Sequence, residues 1–189
     1  MFGIKKLFDF GGSEPKGEWF SIFIYADNRL SPFKSVLQVF EQLNAPTSNL
    51  SDSLTQIADI SLMSFRAKID IKAIGTLIQK LENIKGVHRI ILRLETDHNH
   101  LQNGYYKIPL DFLTKTPMSA VQQLGASFSY ASEKVCIIRL TANFSVLQDM
   151  FWILDDGQLE KKQHAAHHNM VLVILNSISS AGAYPFKLI

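Results

Sequence analysis

Cysteine is nearly absent from this sequence. Cys136 is the single cysteine among 189 residues, which excludes an internal disulfide and any zinc site built on paired cysteines. It lies in the apolar stretch of residues 135–140, so we expect a buried thiol that packs as a small hydrophobic side chain and does not act as a nucleophile. A reduced thiol fits a reducing compartment, and we predict a cytoplasmic location.

Long hydrophobic runs are lacking as well. No stretch approaches the roughly 20 apolar residues that a transmembrane helix needs. Residues 1–10 contain two lysines but neither a long apolar centre nor a small-residue cleavage site, so they do not predict a secretory signal. We expect either a terminal helix docked on the protein or an amphipathic helix that binds a membrane surface or a partner. With the Gly-rich stretch that follows, they form an N-terminal segment and linker, residues 1–17.

The sequence also lacks an excess of either positive or negative charge. The 19 basic and 17 acidic residues leave a net charge of +2, and the basic residues are scattered along the chain. Affinity for nucleic acids comes mainly from neutralised phosphates, so we predict no nucleic-acid partner. A composition of 47% hydrophobic and 19% charged residues is instead typical of a packed protein with one large domain or two small ones.

The first half of the chain alternates strand and helix patterns. Residues 18–27 are aromatic and β-branched, which favours a strand. Ser31 and Pro32 then predict the N-cap and first position of a helix that continues to about residue 43. Residues 63–70 alternate apolar and polar side chains, which predicts a strand with one solvent-exposed face. Residues 51–60 before it would form a partner strand or a loop, and we favour the strand.

A second helix and strand follow at residues 73–95. The apolar side chains of this helix recur on one face, at Ile74, Leu77, Ile78, Leu81 and Ile84. Gly86 is expected as its left-handed C-cap, and residues 87–95 alternate as a strand. The order strand, helix, two strands, helix, strand predicts an α+β protein with a ferredoxin-like two-layer sandwich at residues 18–95.

Residues 57–95 resemble the latter half of an ACT domain, and most resemble the C-terminal ACT domain of alarmone synthetase/hydrolase proteins. The residues 84–87, Ile-Lys-Gly-Val, match the family's turn before its last strand, and residues 24–40 match its first strand, ligand loop and first helix. The resemblance implies an ACT-like regulatory module whose domains pair, either as two units within the chain or across a homodimer. It also implies a loop that holds an amino acid or another small effector, formed by Asp27, Asn28, Arg29, Leu30 and Ser31.

One departure from the family opens an alternative function. The family's loop usually reads Asp-Arg-x-Gly, whereas this chain has Asn28-Arg29-Leu30-Ser31. Replacement of the glycine by Ser31 favours the alternative of an adaptor or immunity-type protein that binds another protein and no small ligand.

Residues 96–189 predict a second α+β unit, which is ferredoxin-like in the same order. A loop would end in the turn-forming pair Asn103-Gly104, followed by a strand, a short helix, two strands around residues 132–133 and a helix over residues 144–157. Residues 170–175 have the composition of a strand, but the polar residues before them favour one long helix that continues to about residue 180, followed by a closing strand. The chain would then contain two tandem units.

Two histidine clusters supply the candidate metal ligands. His164 and His168 are four residues apart, which places them on one face of a helix, and a loop with His98 and His100 would complete a site. The alternative is that these histidines bind no metal and lie in a solvent-exposed loop and at the solvent-exposed start of a helix. A metal-dependent enzyme is accordingly the second alternative function.

The sequence offers no catalytic residues. The acids Asp155 and Asp156 are expected to be a solvated helix end, and no nucleophile with its base and no phosphate-binding loop is present. We therefore predict a protein without enzymatic activity and without a cofactor.

Overall fold

The computed structural model describes residues 16–95, 101–110, 118–155, 170–176 and 185. Its strands form one mixed sheet of eight strands, in the order β2-β3-β1-β4-β8-β5-β7-β6. The strands are β1 Glu18–Asp27, β2 Thr47–Leu54, β3 Ile60–Ile69, β4 Val87–Leu94, β5 Gln102–Pro109, β6 Ser127–Ala131, β7 Val135–Ala142 and β8 Met170–Asn176. The helices are α1 Phe33–Gln42, α2 Ile74–Glu82, α3 Met118–Gln123 and α4 Phe144–Asp155.

The sheet consists of two halves with the same topology. In the first half, β2-β3-β1-β4, the strands and helices follow the order of a ferredoxin-like unit, and β5 to β8 repeat that order in the second half. This confirms the predicted α+β fold class and its ferredoxin-like arrangement. The predicted domain limits at residues 17 and 95 stay predictions.

The halves meet where β4 runs parallel to β8, with Arg89 opposite Met170. The six other pairs of neighbouring strands are antiparallel. β4 and β8 are the equivalent last strands of the two halves. A twofold axis that relates two parallel strands must run along the strand direction, and a rotation about this axis exchanges the two faces of the sheet. The helices of the two halves should therefore lie on opposite faces.

The two hydrophobic cores show this exchange of faces. The first core contains the buried side chains of α1 and α2, and the second contains those of α4. Along the junction strands the side chains alternate between them: Ile90 and Val171 belong to the first core, whereas Ile91 and Leu172 belong to the second. Each half is a two-layer sandwich, and together they form a sheet with helices on both sides.

The long helix predicted through residues 170–175 is wrong, because these residues form β8. All six side chains from Met170 to Leu175 are buried, and the strand pairs with β4 on one side and β5 on the other. A central strand with both faces covered is apolar throughout, so it lacks the alternation by which a strand is recognised. The strand predicted at residues 183–189 lies outside the described residues apart from Pro185.

The turn predicted at Asn103-Gly104 is also wrong, since both residues lie inside β5. A Cβ atom at Gly104 would lie 2.7 Å from Cδ2 of Leu147 and 3.1 Å from the hydroxyl oxygen of Tyr106. The glycine therefore allows α4 to approach the sheet closely and does not mark a turn.

Two ion pairs cross the junction between the halves, and we call them the junction ion pairs. In the first, the guanidinium of Arg89 in β4 donates two hydrogen bonds to Oδ1 of Asp155 at the end of α4. In the second, Nζ of Lys107 in β5 donates to Oε2 of Glu82 at the end of α2, over 2.5 Å. In each half, the acidic side chain at the end of the second helix therefore pairs with a basic side chain of the other half.

Burial makes the Arg89–Asp155 pair energetically important. The side chains of Arg89 and Asp155 are 0% and 1% exposed. Burial lowers the pKa of the Arg89 guanidinium below its usual range, and the Asp155 charge and hydrogen bond oppose that shift. The expectation of a solvated helix end is wrong for Asp155, because the nearby strand supplies a buried partner.

Asp155→Asn is expected to lower the free energy of unfolding by about 3 to 5 kcal/mol, because it removes the counter-charge of a buried guanidinium. Urea unfolding measures the loss. Asp149→Asn, at an exposed position of the same helix, should change stability little. Replacing both partners, Arg89→Met with Asp155→Leu, should recover most of the loss, and a double variant as unstable as Asp155→Asn would contradict this account.

Candidate functional site

The predicted ligand loop lies at the end of β1 and leads into α1. Asp27 ends the strand, residues Asn28–Leu30 form a single turn of 3₁₀ helix, and α1 starts at Phe33. The predicted N-cap at Ser31 is wrong, because Pro32 occupies that position and provides no side-chain hydrogen bond. The N–H groups of the first turn of α1 therefore lack a side-chain cap and point towards the loop.

The charged side chains of the loop bind one another. Oδ1 of Asp27 accepts hydrogen bonds from the backbone N–H of Arg29, over 2.9 Å, and from its Nε, over 3.3 Å. Nη1 of Arg29 also lies 3.8 Å from Oδ2 of Asp59. Burial raises the pKa of the Asp27 carboxyl, but the bonds from Arg29 outweigh this effect and leave the pKa below its usual value. The loop thus offers a guanidinium between two carboxylates.

Ser31 has a backbone conformation that usually favours glycine. Its φ of 43° and ψ of 54° lie in the left-handed region, and its hydroxyl donates to the carbonyl of Asn28 over 3.2 Å. The loop therefore contains a left-handed backbone turn of the kind that glycine usually forms, with serine at that position. Asn28, Arg29, Leu30 and Ser31 are all exposed, so this site is an open surface rather than an enclosed pocket.

Gly86 supports the loop from the other side. It lies in the turn before β4 with a φ of 91°, four residues after the last residue of α2, whose C-cap is Asn83. The prediction of a left-handed glycine is confirmed, but its role as the helix cap is wrong. The carbonyl of Gly86 accepts a hydrogen bond from the N–H of Asp27 over 2.8 Å, and a Cβ at Gly86 would lie 3.0 Å from Cδ1 of Leu30.

A second polar cluster, which the sequence patterns do not predict, lies at the opposite end of β1. Glu95 accepts hydrogen bonds from Ser21 over 2.9 Å and from Nε of Arg66 over 2.7 Å, and the Arg66 guanidinium lies 4.9 Å from the centre of the Trp19 ring. The cluster joins β1 and β3 to the residue that follows β4. The hydrogen bonds from Arg66, followed by that from Ser21, keep the pKa of Glu95 below its usual value against the opposing effect of burial.

The remaining candidate residues are the four histidines and the single cysteine. His98, His100, His164 and His168 lie outside the described residues, and within those residues no group of three or more metal-ligating side chains comes together. Cys136 is buried as expected, and burial raises the pKa of its thiol to about 11, which disfavours the nucleophilic thiolate. In the described part of the chain, no helix is long and apolar enough to cross a membrane.

Comparisons with known proteins give weak likenesses. No family model and no curated protein matches the chain. The small subunit of acetolactate synthase from Thermotoga maritima is 14% identical, with a TM-score of 0.38 over 84% of this chain and 96% of that one. An unknown protein from Galdieria sulphuraria is 13% identical, with a TM-score of 0.34 over 84% and 98% of the two chains.

A third solved structure, a putative glycine cleavage system transcriptional repressor, is 10% identical, with a TM-score of 0.29 over 85% of this chain and 98% of that one. TM-scores this low leave the strand order as the basis for assigning the fold. They say nothing about what binds at the loop.

Ser31→Gly is expected to raise the free energy of unfolding by up to about 1 kcal/mol, because relief of left-handed strain exceeds the added entropy of the unfolded chain and the loss of the exposed hydrogen bond to Asn28. Ser31→Ala keeps the strain and loses the hydrogen bond to Asn28, so it should be less stable than the parent protein. Urea unfolding of the three proteins gives their order. An alanine variant as stable as the glycine variant would show that the left-handed conformation is not retained.

The Glu95 cluster predicts a pH dependence of stability. Because the folded pKa of Glu95 is lowered, its pairing stabilises the fold fully above the ordinary glutamate pKa of about 4.3 and is lost as pH falls through the folded value. Glu95→Gln should therefore make stability fall less steeply between about pH 5 and pH 3. Glu18→Gln, at an exposed position of β1, is the control, and equal slopes for the two variants would refute the assignment.

Proposed function

We propose that this protein is a non-catalytic regulatory module of the ACT-like type, which binds a small effector at the loop of residues 27–31. The observation that supports this proposal is the left-handed backbone of Ser31. The family resemblance implies a glycine at this position, and the left-handed turn that such a glycine would provide is present with serine in its place. The proposal therefore does not require the glycine itself.

The chemistry of the loop favours a zwitterion such as an amino acid. The uncapped N–H groups at the start of α1 suit a carboxylate, and the Arg29 guanidinium adds a second group for an anion. Asp27 and Asp59 would accept hydrogen bonds from an ammonium group, once the ligand competes for Arg29. An anionic nucleotide would use the first two groups but meet the two carboxylates.

The exposure of the loop favours a dimer in which a second copy covers the bound effector. Asn28 to Ser31 lie on an open surface, so a bound effector would have one side uncovered in a single chain. We propose that a second copy covers it in a homodimer, which agrees with the pairing of domains that the family resemblance implies. A cytoplasmic location remains part of the same proposal.

The alternative function is binding of another protein without a small ligand. The observation that favours it is the edge strand β2, where the side chains of Leu50 and Leu54 are 48% and 75% exposed. An edge strand offers backbone hydrogen-bonding groups to an added strand. The bulge between Ser48 and Ser51 interrupts this edge, so β2 offers a shorter docking surface than its length suggests.

A thermal-shift panel of amino acids and nucleotides tests the effector proposal. An amino acid at about 100 times its Kd should raise Tm by about 5 °C or more, since binding adds about 2.7 kcal/mol to stability. Asp27→Asn should abolish the shift. Asp70→Asn is the matched control, because Asp70 also caps a single 3₁₀ turn, by accepting from the N–H of Lys72 over 2.9 Å, and should leave the shift intact.

A panel in which no compound shifts Tm would contradict the effector proposal and favour the protein-binding alternative. Retention of the shift in Asp27→Asn would show that the ligand binds elsewhere, and equal loss in Asp27→Asn and Asp70→Asn would show that the loss is not specific to the loop.

A further inference from the structure

One short segment of the first half contacts both the candidate loop and the second half. This connecting segment, residues 82–89, includes the end of α2, the Gly86 turn and the first residues of β4. Glu82 at one end forms an ion pair with Lys107, and Arg89 at the other end forms one with Asp155. Gly86 in its middle accepts the hydrogen bond from Asp27.

The contact between the loop and Gly86 leaves little room for independent movement. A Cβ on Gly86 would lie 3.0 Å from Cδ1 and 3.2 Å from Cβ of Leu30, and 3.5 Å from Cβ of Asp27. The hydrogen bond from Asp27 fixes the same two pieces of backbone over 2.8 Å. A displacement of the loop must therefore either break this bond or carry the Gly86 turn with it.

The two junction ion pairs join the connecting segment to the second half, one on each face of the sheet. Lys107 is paired with Val171 across the strands, and Arg89 is paired with the adjacent Met170, so the two ion pairs lie one residue apart along β8. Val171 belongs to the first core and Met170 to the second, which places the pairs on opposite faces. A shift of the connecting segment would strain both at once.

We propose that the connecting segment couples the loop of residues 27–31 to the second half of the protein, so that a change in the loop alters the stability of β8 and of the end of α4. As a route for an effector signal, this coupling rests on the proposed function. As a mechanical property of the chain it does not need a ligand, and the experiment below uses none.

Hydrogen exchange of the full chain, measured by mass spectrometry or NMR, tests the coupling. Leu30→Ala removes the side chain that packs on Gly86. It should speed amide exchange at residues 154–155 and 170–173 by at least about threefold under conditions where exchange reports local opening. The matched control is Leu50→Ala, because Leu50 also lies in the first half and is 48% exposed against 44% for Leu30. It should leave exchange in the second half unchanged.

A second variant separates coupling from general loosening. Replacement of Glu82 and Lys107 together by methionine removes one junction ion pair without leaving either charge behind. In that background, Leu30→Ala should change exchange at residues 170–173 by less than about half of its effect in the parent protein.

Three results would overturn the proposal. The first is an effect of Leu30→Ala confined to residues 27–36 and 84–88. The second is an equal effect of Leu50→Ala on the second half. The third is an unchanged effect in the methionine background. A thermal-shift panel without a binding compound removes the effector but leaves these three results informative, so the two proposals fail separately.

Discussion

At the centre of the sheet β4 runs parallel to β8, and this pairing determines which parts of the two halves meet. Parallel equivalent strands exchange the faces of the sheet, so the helices of the first half cover one side and those of the second half cover the other. This exchange places the end of α4 over Arg89, whereas an antiparallel junction would have put all helices on one side. It also makes β4 and β8 central strands, whose side chains must suit two cores at once.

The ion pair of Arg89 with Asp155 follows from that arrangement. A guanidinium buried between a sheet and a helix costs several kcal/mol of desolvation, and a hydrogen-bonded carboxylate only partly offsets this cost. Apolar side chains of similar volume would fill the same space at least as well. A shifted register of β4 on β8 would move Arg89 away from Asp155, so the pair disfavours that register. The more exposed pair of Glu82 with Lys107 joins α2 of the first half to β5 of the second on the other face.

The sequence predicted elements with a local signature and missed features that depend on distant residues. The alternating residues of β3, the apolar face of α2 and the positive φ of Gly86 could be predicted because each depends on neighbours in the chain. The strand β8 could not, because burial on both faces leaves a continuous apolar run that fits a strand or a helix equally well.

The roles of Gly104 and Asp155 also depend on residues distant in the chain, so the sequence did not predict them. Gly104 contacts Leu147, and Asp155 binds Arg89, 66 residues away in the chain. The assignment of residues 27–31 as a ligand loop comes from the resemblance and stays a prediction. The pairing of Arg29 with Asp27 and Asp59 and the contact of Leu30 with Gly86 required the three-dimensional structure.

The conformation of Ser31 bears on a position at which the resemblance to ACT domains implies a glycine. A glycine in a ligand loop serves two purposes, a left-handed turn and space for a ligand against the backbone. Ser31 retains the first at the expense of strain, and its hydroxyl bonds to Asn28 within the loop instead of projecting as an apolar obstacle. A sequence with no need for this turn would lose little by relaxing it. The strained turn is therefore better explained by a constraint on the loop, and the contact of Leu30 with Gly86 gives that constraint a structural origin even without a ligand.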